Sequence, residues 1–261
     1  MGIYLHAVFQ YLIDVADCEI VALVVHPKLY QTKFQKVKKS LKKGRGAYTL
    51  ILIFQSVFQT IRGLIAKSKH AIHFTNIAGA EQIPLIRLND LYSTESLKII
   101  KELHADAGVL FGYHRIVKPV FINIFPTGVL SYHYGDMRKY RGQTAGFWEL
   151  YYGEKELGIT VQLISEEIDR GRPVFEISIP IQPDDLMRDL DKKVEIQTPS
   201  MMAMAIKRLM TESSQPSPLN SYGKLYTVPT IGQWFIYQSY MFRRRLLKLL
   251  FKKKQISHSI Q

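Results

Sequence analysis

Cysteine is almost absent from this chain: its 261 residues include one, Cys18. A single thiol excludes an internal disulfide framework and a zinc centre built on cysteines, and it suits a reducing cytoplasm. Histidine does not take over as a ligand set. His70, His73, His104 and His114 have no metal-ligand spacing with cysteines or carboxylates, so no metal site is expected. The glycine-rich phosphate loops are missing as well, with neither a P-loop nor a Gly-x-Gly-x-x-Gly run. No internal repeat is visible. Met1 to His6 has no basic segment leading into a long apolar core, so no secretory signal is expected there. The longest apolar stretch, 47–66, is broken by Gln55, Ser56, Gln59, Thr60 and Arg62. That pattern favours a buried core helix over a membrane span.

Acidic residues are in deficit, with 22 Asp+Glu against 35 Lys+Arg and a net charge of +13. Two clusters carry much of the excess. One is Lys33, Lys36, Lys38, Lys39, Lys42, Lys43 and Arg45; the other is Arg243, Arg244, Arg245, Lys248, Lys252, Lys253 and Lys254. Such clusters are either solvated loops and tails or surfaces for phosphates, acidic lipid or polyglutamylated folate. The second cluster is interleaved with leucines and follows Trp234, Phe235, Tyr237 and Met241. It reads as a cationic amphipathic helix, either docked on the body, the reading favoured over 230–242, or a membrane-surface or partner-binding helix, which stays equally open over 243–254.

Periodicity and turn signals lay out the rest. Helices are expected over 5–14, 95–104, 146–152, 184–193 and 200–211, the second opened by a Ser93 or Thr94 cap. Strands are expected over 20–25, 84–87, 108–112, 128–133, 159–165 and 173–181. Alternation of the two predicts an α/β fold with a mostly parallel sheet flanked by helices. One α/β domain over 1–210, a Ser- and Pro-rich linker over 211–229, and a basic helical tail over 230–261 make up the expected organisation. In such sheets ligands bind beyond the carboxyl ends of strands. His133 closes one predicted strand and Asp169 follows another.

The segment from Ser131 through Tyr132-His133-Tyr134-Gly135-Asp136-Met137-Arg138-Lys139 to Tyr140-Arg141-Gly142 carries the densest signal. It resembles the active-site segment of the folate-dependent formyltransferases, in which Asn-x-His is followed after six residues by Tyr-Arg-Gly. Further motifs follow in order: Gln143 to Glu149 with its Trp148, then Gly153-Glu154, Gly158-Ile159-Thr160, and Ile168-Asp169-Arg170-Gly171. Upstream, Gly112-Tyr113-His114-Arg115-Ile116-Val117 is similar to the family's folate-side segment. The resemblance is strongest over roughly 106–180. It implies a Rossmann-like formyltransferase fold with a helical C-terminal extension. The family opens with a strand and a turn before its first helix, whereas this chain starts almost at the helix; an upstream extension of about one strand plus its turn is expected.

The resemblance also implies a reaction. An amine attacks the formyl carbon of N10-formyltetrahydrofolate, negative charge builds on oxygen, and a proton must pass from the amine to the leaving nitrogen. His133 would serve as oxyanion donor and proton shuttle, with Asp169 as its orienting partner. Ser131 stands where the family has Asn, and three readings stay open. Its shorter hydroxyl reaches the oxyanion through water, another donor such as Arg138 or a backbone N–H replaces it, or formyl transfer is lost. Arg115, Ile116, Val117, Glu167, Ile168 and Asp169 are the implied cofactor contacts. Asp136, Arg138, Tyr140, Arg141 and Gly142 are the implied acceptor contacts, with a surface ion pair as the alternative for Asp136 and Arg138.

The expected activity is therefore transfer of formyl to a small-molecule primary amine, an amino sugar or nucleotide-linked amine first. A methionyl-tRNA formyltransferase-like enzyme, a formyltetrahydrofolate hydrolase and a non-catalytic ligand-binding descendant are the alternatives. The expected location is cytoplasmic, with peripheral membrane or nucleic-acid contact through the basic tail.

Overall fold

Alternation along one strand organises the molecule. In the strand Glu156–Leu163, the residues Leu157, Ile159, Val161 and Leu163 point to one face and are buried among hydrophobic side chains. Thr160 and Gln162 point to the other face and are buried too. A strand covered on both faces, with one face polar, marks the place where a site can be built.

A computed structural model describes residues 2–15, 18–25, 82–111, 116–144, 146–212 and 216–258, and the side chains of residues 7–246 among them. Helix α1 (Gly2–Val15) comes first, then β1 (Leu23–Val25), β2 (Leu85–Arg87), α2 (Thr94–Glu102) and β3 (Ala107–Leu110). A short α3 (Pro119–Ile122) leads into β4 (Gly128–Tyr134), β5 (Tyr140–Gly142), α4 (Phe147–Tyr152), β6 (Glu156–Leu163) and β7 (Arg172–Pro180). Helices α5 (Met187–Gln197) and α6 (Met201–Thr211), strand β8 (Lys224–Tyr226) and helix α7 (Ile231–His258) complete the order.

The largest sheet runs β3-β4-β6-β7. Its β3–β4 pairing is parallel, as are β1–β2 and β5–β8, while β4–β6 and β6–β7 are antiparallel. The α/β class expected from the sequence is the class observed. Leu130, Tyr132 and Tyr134 pair in register with Leu163, Val161 and Ile159 and face a core completed by Val8, Leu12, Met201, Met202 and Ala205. Ser131 and His133 pair with Gln162 and Thr160 on the opposite face. Beside Ser131, Val129 faces a second core of Ile100, Phe121 and Phe125.

Side-chain hydrogen bonds tie helices to this sheet. The Tyr132 hydroxyl donates to the Thr198 carbonyl at 2.8 Å and accepts the Met202 N–H at 3.2 Å, satisfying groups at the start of α6. Arg208 on α6 donates to the Val174 carbonyl of β7 at 3.0 Å. Ser93 caps α2 as expected, its hydroxyl accepting the Ser96 N–H.

The stretch expected to be a plain linker, 211–229, contributes β8, which pairs with β5. Its Ser- and Pro-rich composition reports only local preference. The pairing partner lies some eighty residues away, and long-range pairing overrides local preference. Trp148 and Tyr140 pack their rings on Tyr226 at 4.7 and 5.4 Å between centroids, which clamps β8 against α4. The 33–46 basic segment and the 47–66 helix expected from the sequence lie outside the described residues. Among the described residues no helix is long and apolar enough to cross a membrane.

Helix α7 docks on the body through Tyr237 and Met241. The Tyr237 ring lies 4.5 Å from that of Phe147, and Met241 is 2% exposed. The adjacent Phe242 is 69% exposed. Truncation of the two neighbours should therefore differ in effect. Met241→Ala is expected to cost about 2–4 kcal/mol in urea unfolding, and Phe242→Ala to stay within about 0.5 kcal/mol.

Candidate active site

The polar face of β4 and β6 ends at His133, the point where β4 gives way to the turn through Gly135. Both ring nitrogens of His133 meet acceptors. Nε2 lies 2.8 Å from the Tyr140 carbonyl, and Nδ1 lies 3.4 Å from Asp169 Oδ1. A backbone carbonyl can only accept, so Nε2 carries a proton and the ring is anchored on that side. Nδ1 therefore faces the carboxylate and is the nitrogen able to exchange a proton. Burial alone would lower the His133 pKa, but the bond and charge of Asp169, the Tyr140 carbonyl and the charge of Glu149 outweigh it and raise the value above 6.5.

Asp169 is held as firmly as the ring it faces. Its backbone is left-handed, with φ of 47°, a conformation that Asp tolerates better than most residues. Oδ2 accepts the Gly142 N–H at 2.7 Å, and Oδ1 accepts Gln162 Nε2 at 3.4 Å. Burial pushes the Asp169 carboxyl up, but His133, Gly142 and Gln162 together bring it below its usual range. Gln162 uses its other end to accept the Gly171 N–H at 3.1 Å, so one side-chain amide braces both ends of the Asp169 turn. Gly171 admits no larger residue, because a Cβ there would stand 2.1 Å from the Leu163 carbonyl oxygen.

Gly142 fixes the third wall. Its φ of 91° suits glycine, and a Cβ would meet the Tyr226 carbonyl oxygen at 2.2 Å. Arg141 beside it donates through Nε to the Gly223 carbonyl at 2.7 Å and through Nη1 to the Ile168 carbonyl at 3.1 Å. The Tyr-Arg-Gly run thus works as an architectural clamp: Tyr140 anchors His133, Arg141 ties β5 to the Asp169 turn, and Gly142 donates to Asp169.

Ser131 lies on the same face as His133, two residues earlier on β4 and opposite Gln162. Its hydroxyl donates to the Tyr132 carbonyl at 3.2 Å. Arg138 is engaged elsewhere. Its guanidinium forms a fork with Glu176, at 2.8 and 3.0 Å, and touches Asp136 Oδ1 at 3.3 Å. Glu176 lies two strands from His133 in the same row, a spacing of about 10 Å. The geometry thus places Arg138 in an ion pair with Glu176 and Asp136, away from the ring it was offered to assist. Its pKa is raised by that Glu176 pairing.

Of the expected cofactor contacts, Arg115 lies outside the described residues. Ile116 and Ile168 expose apolar side chains, whereas Val117 is buried in the second core. Glu167 pairs with Arg170 at 2.7 Å on the surface. Among the described residues no group of three His, Cys, Asp or Glu is disposed to hold a metal.

Two residues of this site were not singled out from the sequence. Gln162 interrupts the apolar run of β6, and that interruption was its signal. Glu149 sits inside the aromatic and aliphatic run of α4, is 2% exposed, and has neither carboxyl oxygen hydrogen-bonded. It flanks the anchored side of the imidazole: a Cβ on Gly135 would stand 3.0 Å from His133 Nε2 and 3.4 Å from Glu149 Oε1. Desolvation raises its pKa from 4.5 to about 7, against the pull of its own backbone N–H, the His133 charge and the Gly146 N–H, which lie near it. His133 therefore stands between two carboxyls of opposite character, Asp169 charged at Nδ1 and Glu149 largely desolvated beyond Nε2.

The "Formyl transferase" family profile matches residues 22–206. The methionyl-tRNA formyltransferase of Nostoc sp. strain PCC 7120 is 30% identical over 133 residues, 51% of this chain and 39% of that protein. Its counterpart from Heliobacterium modesticaldum is 32% identical over 131 residues, 48% of this chain and 39% of that protein. The chain thus spans about two fifths of the length of these relatives. A phosphoribosylglycinamide formyltransferase structure from Bacillus halodurans superposes with a TM-score of 0.54 at 17% identity, covering 82% of this chain and 92% of that one. That likeness bears on the fold.

Two outcomes test the electrostatics. A folded pKa above the unfolded one means that Glu149 binds more protons in the native state, so its contribution to stability falls as pH rises from 4.5 to about 7. Glu149→Gln should gain on the parent between pH 5 and pH 8 by as much as about 3 kcal/mol in denaturant titrations. Asp169→Asn should lower the His133 pKa by removing the bond and charge that raise it, read by NMR of the imidazole protons.

Proposed function

The chain belongs to the formyl transferase family, and from that premise we propose that it moves a formyl group from N10-formyltetrahydrofolate to the primary amine of a small molecule, an amino sugar or nucleotide-linked amine. The observation that carries this reading is the His133–Asp169 pair. It joins a buried imidazole, anchored on one nitrogen and free to exchange a proton on the other, to a carboxylate braced from three sides.

The donor supplies a formyl carbon attached to a nitrogen that leaves once it is protonated. The side chains do the rest. His133 accepts the amine proton at Nδ1 and returns it to the leaving nitrogen. Asp169 stabilises the ring's charged form through that interval, which is why its own value is depressed while that of His133 is raised. Tyr140 prevents the ring from rotating away. Ser131 shares the face of His133 and supplies a hydroxyl toward the developing oxyanion once that hydroxyl turns from the Tyr132 carbonyl. The exposed side chains of Ile116 and Ile168 fit the apolar face of a pterin ring. Asp136 and Glu176, with Arg138 between them, present a charged rim suited to a polar, hydroxyl-rich acceptor.

The test is an assay with N10-formyltetrahydrofolate and a panel of amino sugars, nucleotide-linked amines and free amines, separating N-formyl product from free formate. Amine-dependent product is expected. His133→Ala should reduce it about 10²–10⁴-fold, and Ser131→Asn should raise it by as much as about 10²-fold by restoring a longer donor. Formate release that ignores the amine would instead identify a hydrolase. Donor binding without turnover, unchanged by His133→Ala, would identify a binding protein.

A further inference from the structure

Helix α7 has two apolar faces, and the body of the protein covers one of them. Tyr237 and Met241 fill the core, and Arg244 Nη1 donates to the carbonyls of Gln182 and Asp185 at 3.0 and 3.2 Å, fixing the helix's rotation about its axis. On the other side, Ile231, Phe235, Phe242 and Leu246 follow one another at spacings of four, seven and four residues. At 100° per residue this is a single stripe. All four are exposed, Phe235 at 63% and Phe242 at 69%. The stripe runs about 22 Å. Arg243 and Arg245 are exposed beside it.

Charge narrows what can cover such a stripe. Helix α7 contains no Asp or Glu, and its sequence continues through Lys248, Lys252, Lys253 and Lys254. A partner must therefore be apolar and anionic along the same line. A nucleic acid supplies phosphates but no continuous apolar layer for two phenylalanines, an isoleucine and a leucine. A second copy of the chain brings the same basic helix and a net charge of +13, so the stripes would meet against repulsion. An anionic lipid surface supplies both features at once: headgroup phosphates for the arginines and the acyl boundary for the aromatic rings.

We propose that α7 is a membrane-surface helix, which lies in the plane of an anionic bilayer on the Ile231–Phe235–Phe242–Leu246 stripe while its Tyr237–Met241 face stays docked on the enzyme body. The proposal is independent of the acceptor and of Ser131, since none of its residues belongs to the His133 site.

The test uses the full chain in co-sedimentation with vesicles of phosphatidylcholine alone and of phosphatidylcholine with phosphatidylglycerol. Partitioning is expected to be at least about 10-fold stronger on the anionic vesicles and to weaken with added salt. Phe235→Ala with Phe242→Ala should lower it about 10-fold or more with thermal unfolding unchanged. Arg243→Gln with Arg245→Gln should lower it about 10–30-fold on anionic vesicles alone. The proposal would be overturned by no partitioning into either vesicle, by equal partitioning insensitive to these changes, or by a dimer in sedimentation equilibrium that the Phe235/Phe242 change dissolves. Retention on RNA without vesicle binding would overturn it equally.

Discussion

Everything in the site leans on one carboxylate. Asp169 receives the Gly142 N–H, the Gln162 amide and the His133 Nδ1 side, which come from three different strands. Each is a partly or fully buried polar group, and without an acceptor each would carry a desolvation penalty of about 1–3 kcal/mol. Asp169 can reach all three because its backbone turns left-handed and because Gly171, two residues on, lets the turn settle against the Leu163 carbonyl. The constraint is mutual. The same bonds that stabilise the turn depress the Asp169 pKa, and a charged Asp169 is what keeps His133 basic. The stability from Asp169 is present above its ordinary value of 3.8 and is lost as pH falls below it. The stability from His133 is present below 6.5 and is lost as pH climbs past its raised value.

Glu149 is the second carboxyl near the ring, in very different surroundings. A carboxyl with no hydrogen-bond partner, buried under aromatic rings, is more stable neutral than charged. It lies on the side of the ring where Nε2 is already committed to Tyr140, so it cannot compete with Asp169 for the working proton. Its charge still reaches His133, and also Tyr140, Tyr226 and Glu154, which all lie near it. Both carboxyls raise the His133 pKa when charged, Asp169 from below its ordinary 3.8 upward and Glu149 only as pH rises through about 7.

Much of this could be read from the sequence, and the limits of that reading have physical causes. The alternation in β6 and the position of His133 at the end of β4 follow from period-two patterning, which is local. The order of His133, Tyr140 to Gly142 and Asp169 was legible through the resemblance to the formyltransferase motif, and its Gly142 and Gly171 stand where close backbone approach leaves no room for another residue. Strand β8 was hidden because its pairing depends on Tyr226 meeting Trp148 and Tyr140 across the fold, and a Ser/Pro-rich surrounding conceals that. For Arg138 the sequence left an acceptor contact and a surface ion pair both open, because its main partner Glu176 is thirty-eight positions away and one strand over from Thr160. Glu149 carried a signal, a lone charge in an aromatic run, but the sign of its effect needed the burial that only the fold supplies.

The Ser131 exchange can be weighed against what surrounds it. One preorganised donor is worth roughly 10²–10³ in rate, and a hydroxyl recovers part of that only if it leaves the Tyr132 carbonyl. The rest of the face is left intact. His133 keeps its raised pKa and its anchor on Tyr140, and Asp169 keeps its bonds to Gly142 and Gln162. A buried imidazole between two carboxyls is a costly arrangement to hold, because each buried ionisable group costs stability unless it is paired. Glu149, still unpaired, makes the argument sharper. Both its carboxyl oxygens are buried without a hydrogen-bond partner, as no other side-chain oxygen or nitrogen is among the described residues, and a leucine in its place would avoid that cost.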